Sequence, residues 1–160
     1  MSYKRVLLSF FLLLLAGCSS SLQVVQLPPQ PTESRLFAVE QLQPQQEKSL
    51  LAVQFSPNNW RWVQTDPLGA PLARVQLTQS GWQNDGFVMP NAQAIQLFAA
   101  LATALNPSQP PFAFSRIENG LQGKIYFDSN RKLWEISQQS QQINIRLGDQ
   151  SQWRLTELEP

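Results

Sequence analysis

One cysteine, no histidine and few lysines are the side chains from which nucleophilic or acid–base chemistry would ordinarily be drawn here. Cys18 stands directly behind Leu15-Ala16-Gly17, at the end of the apolar run 6–15, which follows the cations Lys4 and Arg5. A run of that length does not span a bilayer. With a basic start and small residues at its end, the stretch 1–17 reads as a secretory signal. A lone cysteine has no partner for a disulfide within the chain. The missing histidine removes the commonest general base, the commonest metal ligand and every histidine-dependent triad. Lys48, Lys124 and Lys132 sit in no nucleophile motif, and phosphate-loop, dinucleotide, GxSxG and EF-hand spacings are absent. Asp66, Glu118 and Asp128 are the carboxylates left for acid–base work, again without a motif. The expectation is a non-enzyme without cofactor or metal.

Leu15-Ala16-Gly17-Cys18 resembles a bacterial lipobox. The resemblance implies that the Cys18 sulfur carries a thioether-linked diacylglycerol, that cleavage precedes it, and that the new amine receives a palmitate-type acyl chain. Several acyl chains, at about 0.8 kcal/mol per buried methylene, make the anchor effectively permanent. Ser19 and Ser20 stand where an Asp would favour inner-membrane retention, so the resemblance implies the periplasmic face of the outer membrane. Residues 18–35, with serines, few charges and little room for a core, read as a lipidated tether stiffened by Pro28, Pro29 and Pro31. Residues 36–160 then form one domain.

Charge narrows the partners. Removing Lys4 and Arg5 from the twelve basic side chains leaves ten, against eleven acidic ones, and no stretch is a basic stripe. Nucleic-acid binding therefore has no electrostatic support.

The elements come from periodicity. "LFAVEQL" (36–42), "SLLAVQF" (49–55), "WRWVQT" (60–65) and "PLARVQLTQ" (71–79) alternate as strands, and Asn84-Asp85-Gly86 is a further hairpin-type signal. The period then changes. Over about 91–105, Ile95, Phe98, Ala102 and Leu105 make one helical stripe, Leu97, Leu101 and Ala104 widen it, and Asn91 is the N-cap. No charge falls between Asn91 and Asn106, so this helix must be packed on most sides. A proline-rich connection, 107–120, carries Phe112 and Phe114 two apart and reads as a lid or rim. Strands resume at 123–128, 133–137, 143–148 and 152–158. Strands, one greasy helix and strands again give an α+β fold: a curled antiparallel sheet of about seven or more strands packed on one apolar helix.

The order of elements resembles the family of the outer-membrane lipoprotein receptor LolB and its periplasmic carrier relative LolA. "RWVQTDPLG" is similar to that receptor family's strand ending in Thr-x-Pro-Leu-Gly, here Thr65, Pro67, Leu68 and Gly69. "NAQAIQLFAALATAL" falls at its capping helix, and "GKIYFD", "LWEISQ" and "INIRLG" at its closing strands. The chain also looks like a family of small Gram-negative lipoproteins, some encoded among aryl-polyene or fatty-acid-type biosynthetic genes. The resemblance implies a half-open β-barrel that receives acyl chains. It also implies a membrane- or partner-contact loop at Pro67, Leu68 and Gly69, and a cargo of acylated ligand or lipoprotein delivered by a LolA-like carrier. The receptor's N-terminal helix has no equivalent in the proline-broken stretch 19–35.

Physics meets this at Leu68. Asp66-Pro67-Leu68-Gly69 suits a type I turn, whose third residue points outward, and exposing a leucine forgoes about 1.5–3 kcal/mol. Contact with lipid or an acylated partner is one reason to expose it; a single exposed leucine, or one folded onto Pro71 or Leu72, is the other. Trp60, Trp62, Phe98, Leu101, Phe112, Phe114 and Trp134 are either core or the lining of an acyl cavity. Arg61 and Arg74 read as a pair across the hairpin on the polar face. Two functions follow. One is lipid or lipoprotein binding and transfer to the membrane; the other is a tethered structural or assembly factor with a filled core.

Overall fold

A helix with no charged side chain is the element around which the rest is arranged. The computed structural model describes residues 22–87 and 91–159, so Cys18 and the stretch read as a signal lie outside the described residues. Helix α1 (Ala92–Leu105) starts where the Asn91 side chain accepts the Ala94 N–H at 2.7 Å, satisfying one of the free donors of the first turn. It stops at Asn106, whose amide donates to the Ala102 carbonyl at 2.9 Å. Nine of its fourteen residues are buried, from Ala94 to Ala104. Among them is Thr103, whose hydroxyl donates to the Ala99 carbonyl at 2.8 Å and so tolerates burial.

The strands are β1 (Ser34–Gln43), β2 (Glu47–Phe55), β3 (Asn59–Thr65), β4 (Pro71–Thr78) and β5 (Gly81–Asn84) before the helix. After it come β6 (Arg116–Asn119), β7 (Lys124–Asp128), β8 (Arg131–Gln139), β9 (Gln142–Leu147) and β10 (Gln152–Leu158). They form a single ten-stranded antiparallel sheet in the order β5-β4-β3-β2-β1-β10-β9-β8-β7-β6, with both edges open. Register aligns the buried faces: Val53 opposes Trp62, which opposes Val75, and Ile136 opposes Ile145, which opposes Trp153. A sheet this wide must twist and curl. The result is that Trp82, on the first strand of the order, and Trp134, on the eighth, border one groove beside α1. The fold is thus α+β, a curled sheet wrapped on one helix.

The sheet has ten strands, where about seven or more were expected and eight stretches were located. The two not located are β5 and β6, four residues each, too short for alternation to show. β6 falls inside the proline-rich connection and is exposed along its length. The hairpin between β4 and β5 is at Gln79-Ser80, where Gly81 adopts φ +106°, and not at Asn84-Asp85-Gly86. The largest departure is in the expected tether. From Leu22 onward this segment is packed on the fold. Val24 bridges Phe112 and is 7% exposed, Pro28 is buried, and Gln30 donates to the Asn106 side chain at 2.8 Å. Prolines break a helix, but they do not prevent an extended strap from docking on an apolar surface.

The centre between helix and sheet is filled. Trp60, Trp62, Phe98, Leu97 and Leu101 are each at most 1% exposed. Phe98→Ala should therefore leave a cavity and lower unfolding free energy by about 3–5 kcal/mol in a denaturant titration. A loss below about 1 kcal/mol would mean that this layer is loosely packed.

Candidate functional site

Two groups of aromatic rings grip α1. In the first, Trp62 stacks on Phe98 with centroids 5.5 Å apart and planes 16° from parallel. Trp82 meets Trp62 edge-on at 5.7 Å and lies 6.4 Å from Phe112. In the second, Phe114 lies 4.9 Å from Tyr126 and 5.8 Å, edge-on, from Trp134. The connection after the helix therefore ties the groups together, because Phe112 enters one and Phe114 the other. Such ring pairs add about 0.5–1.5 kcal/mol each beyond the area they bury. The indole N–H groups of Trp62 and Trp134 are buried with no hydrogen-bond partner among the described residues.

Between the two groups runs a groove of about 480 Å³. Trp82 and Trp134 stand on its two sides, Ala92, Ile95 and Ala99 of the helix border it, and Leu22 and Leu133 extend the apolar wall. Arg131, Lys132 and Asp149 bring charge to it. Each is engaged: Arg131 with Asp128 at 3.3 Å, Lys132 with Glu135 at 3.0 Å, and Asp149 accepting from Gln93 at 3.0 Å and the Ser151 hydroxyl at 2.6 Å. This size and lining suit an apolar ligand with a polar end. A second groove of about 470 Å³ lies on the outer face of the sheet and is bordered largely by polar groups, among them Gln139, Asn144, Arg146 and Arg154.

The residues expected to line an acyl cavity divide. Trp134 borders the groove. Trp60, Trp62, Phe98 and Leu101 are buried to the same degree as Trp134, at most 1% exposed, but do not border that groove and are core. Trp60 packs against Phe55 at 5.1 Å. Phe112, 3% exposed, and the half-buried Phe114 brace the walls from behind. Sharing a strand face made these tryptophans inward-pointing, but the helix fills the space they point into. Trp82, Ile95 and Leu22 were missed. Trp82 sits in a four-residue strand among polar neighbours, and Leu22 lies in a stretch that reads as linker.

Leu68 is 95% exposed, between the exposed Pro67 and Gly69. The turn is rigid: the Asp66 carboxylate accepts the N–H groups of Leu68 at 2.9 Å and Ala70 at 2.8 Å, and Gly69 donates to the Asp66 carbonyl at 3.0 Å with φ +91°. Leu68 is thus held out in water and does not fold back onto its neighbours. Registers place its turn, between β3 and β4, at the same end of the sheet as the β7–β8 and β9–β10 turns, which supply Arg131, Gly148 and Asp149 to the groove.

The carboxylates weighed for catalysis are engaged locally. Asp66 holds its turn, Glu118 pairs with Arg116 at 2.7 Å and Asp128 with Arg131. Among the described residues no cluster of three metal-ligating side chains occurs, and no helix is long and apolar enough to cross a membrane. Arg61 and Arg74 are not opposite each other, since Arg61 faces Gln76 and Arg74 faces Val63. They converge on Asp85, which also accepts from Gln76 at 2.9 Å. Compared with models of known protein families and with curated proteins, the chain matches none.

Two predictions follow from this geometry. Leu68→Glu should change unfolding free energy by no more than about 0.5 kcal/mol, as for other exposed sites; a loss of several kcal/mol would mean the leucine supports the fold. The second concerns acid. Desolvation pushes the Asp85 carboxyl up, but hydrogen bonds from Arg61 and Gln76 and the charges of both arginines outweigh it and hold it below its ordinary 3.8. Asp149 is likewise lowered against desolvation, by Ser151 and Gln93, and Glu157 is lowered from 4.5 chiefly by Arg35. Lowered folded values add stability that is complete above the unfolded values and is lost as pH falls through the folded ones. Denaturation midpoints should therefore hold from neutrality to about pH 5 and fall below about pH 4. Asp85→Asn should lower the plateau and flatten that acid fall.

Proposed function

We propose that this chain is a lipid-anchored lipoprotein on the periplasmic face of the outer membrane, binding one acyl chain of a lipid or lipoprotein and passing it to the membrane. In this reading the fold is a half-open barrel of the kind found in the LolB and LolA families. The ligand occupies the apolar groove between Trp82 and Trp134, while Leu68 touches membrane or partner. The observation that carries it is the groove itself: an apolar channel of about 480 Å³, beside which turns at the end of the sheet that also holds an almost fully exposed leucine bring charge. No reaction is needed. Methylenes gain comparable free energy in a protein groove and in a bilayer. The chain can therefore leave the groove without a large barrier from unequal affinities.

A second reading, a tethered assembly factor with no ligand, is favoured by the filled centre around Trp62 and Phe98. Native mass spectrometry of the folded domain, made without lipid by Cys18→Ser, separates the two when palmitate is added. One palmitate per chain, lost in Ile95→Glu, supports the carrier reading. No adduct at any palmitate concentration overturns it in favour of the assembly factor.

A further inference from the structure

The groove has a neighbour within its own chain. The segment leading into β1 is strapped across the molecule. Val25 donates to the Pro111 carbonyl at 2.7 Å and Ala113 to the Gln23 carbonyl at 3.0 Å, while the Gln79 side chain donates to Val25 at 3.0 Å. Val24 is buried beneath these bonds. The strap delivers Leu22 to the groove, where its side chain joins Trp82 and Ile95 in the wall. Only Ser19, Ser20 and Ser21 separate Leu22 from Cys18, four peptide steps with a reach of at most about 14 Å.

We infer that the resting occupant of the groove is one of the acyl chains carried by Cys18 itself, and that incoming cargo must displace it. This rests on the proposed lipidation of Cys18. One observation and two physical arguments point to it. First, the strap fixes the exit point of the chain at the groove wall, so the anchor cannot be far from the mouth. Second, a ligand held on a short linker has an effective concentration in the millimolar range, enough to compete with a free acyl chain present at lower concentration. Third, an acylated cysteine with several chains can keep some in the bilayer while one occupies the groove, because the methylenes are equally well served in either place.

The test uses the full chain produced in cells fed a diazirine-bearing palmitate analogue, then irradiated and digested, with cross-links mapped by mass spectrometry. The expected result is intramolecular cross-links from the Cys18 lipid to Ile95, Trp134 or Leu22. These should be lost in Ile95→Glu and in Ala92→Trp, which narrows the groove from an exposed helix position. A lipidated Cys18 cross-linked solely to phospholipid overturns the inference, and the palmitate titration of the unlipidated domain still decides the groove's own role. A mature chain with no lipid on Cys18 overturns both the anchor and the inference.

Discussion

Helix α1 offers water no charged side chain, and nearly everything else in the molecule follows from covering it. Its Ala-rich surface lets the sheet approach closely, while Leu97, Phe98 and Leu101 provide the volume that the strands must enclose. One flat face would leave much of such a helix wet. A ten-stranded sheet curls enough to reach around it, and the aromatic rings set how far the curl goes. The Trp62–Phe98 stack seats the helix against β3, while Phe114 and Trp134 hold the opposite wall. Between those two grips the enclosure is incomplete, and the incompleteness is the groove.

The strap made by residues 22–30 and the connection made by residues 107–115 belong to the same solution. They pair with each other through Val24 and Phe112, away from the ladder of the sheet. Each is proline-rich, and each lays apolar side chains over an end of the aromatic layer that no strand covers. The outer surface is organised differently. There Arg35 with Glu157 and Arg154 with Glu40 link the neighbouring strands β1 and β10, while Arg61 of β3 and Arg74 of β4 reach Asp85 just beyond β5, all of them partly exposed. Exposed ion pairs contribute little to stability, and Asp85 matters more because two cations and an amide meet on it at the edge of β5.

Much of this was legible in the amino-acid order. Alternation marked β1 to β4 and β7 to β10, because each places bulky apolar residues two apart on a face that is buried. The change to a helical period and the Asn91 cap located α1 to within a residue. Turn chemistry alone put Leu68 in water. What alternation could not show were elements of four residues, and so Trp82 and the true end of the β4–β5 hairpin were missed. Composition misread the strap: its prolines suggested a linker, but Leu22, Val24 and Leu27 suffice to dock it on an exposed aromatic layer. It also misread the tryptophans, since a strand pattern says which way Trp60 and Trp62 face but not whether a helix already fills the space. Asp85 read as part of a turn because its partners lie eleven and twenty-four residues earlier, a relation that only register reveals.

The central claim is that the channel between Trp82 and Trp134 accepts a hydrocarbon tail. Nuclear magnetic resonance of the isotope-labelled, unlipidated domain, titrated with palmitate below its micellar range, tests it most directly. The account predicts saturable shifts confined to the indole of Trp82, Ile95, Ala99 and Trp134, with the outer-face groups around Arg146 and Arg154 unmoved. Shifts that fail to saturate, or that gather on the outer face while the helix signals stay fixed, would contradict it.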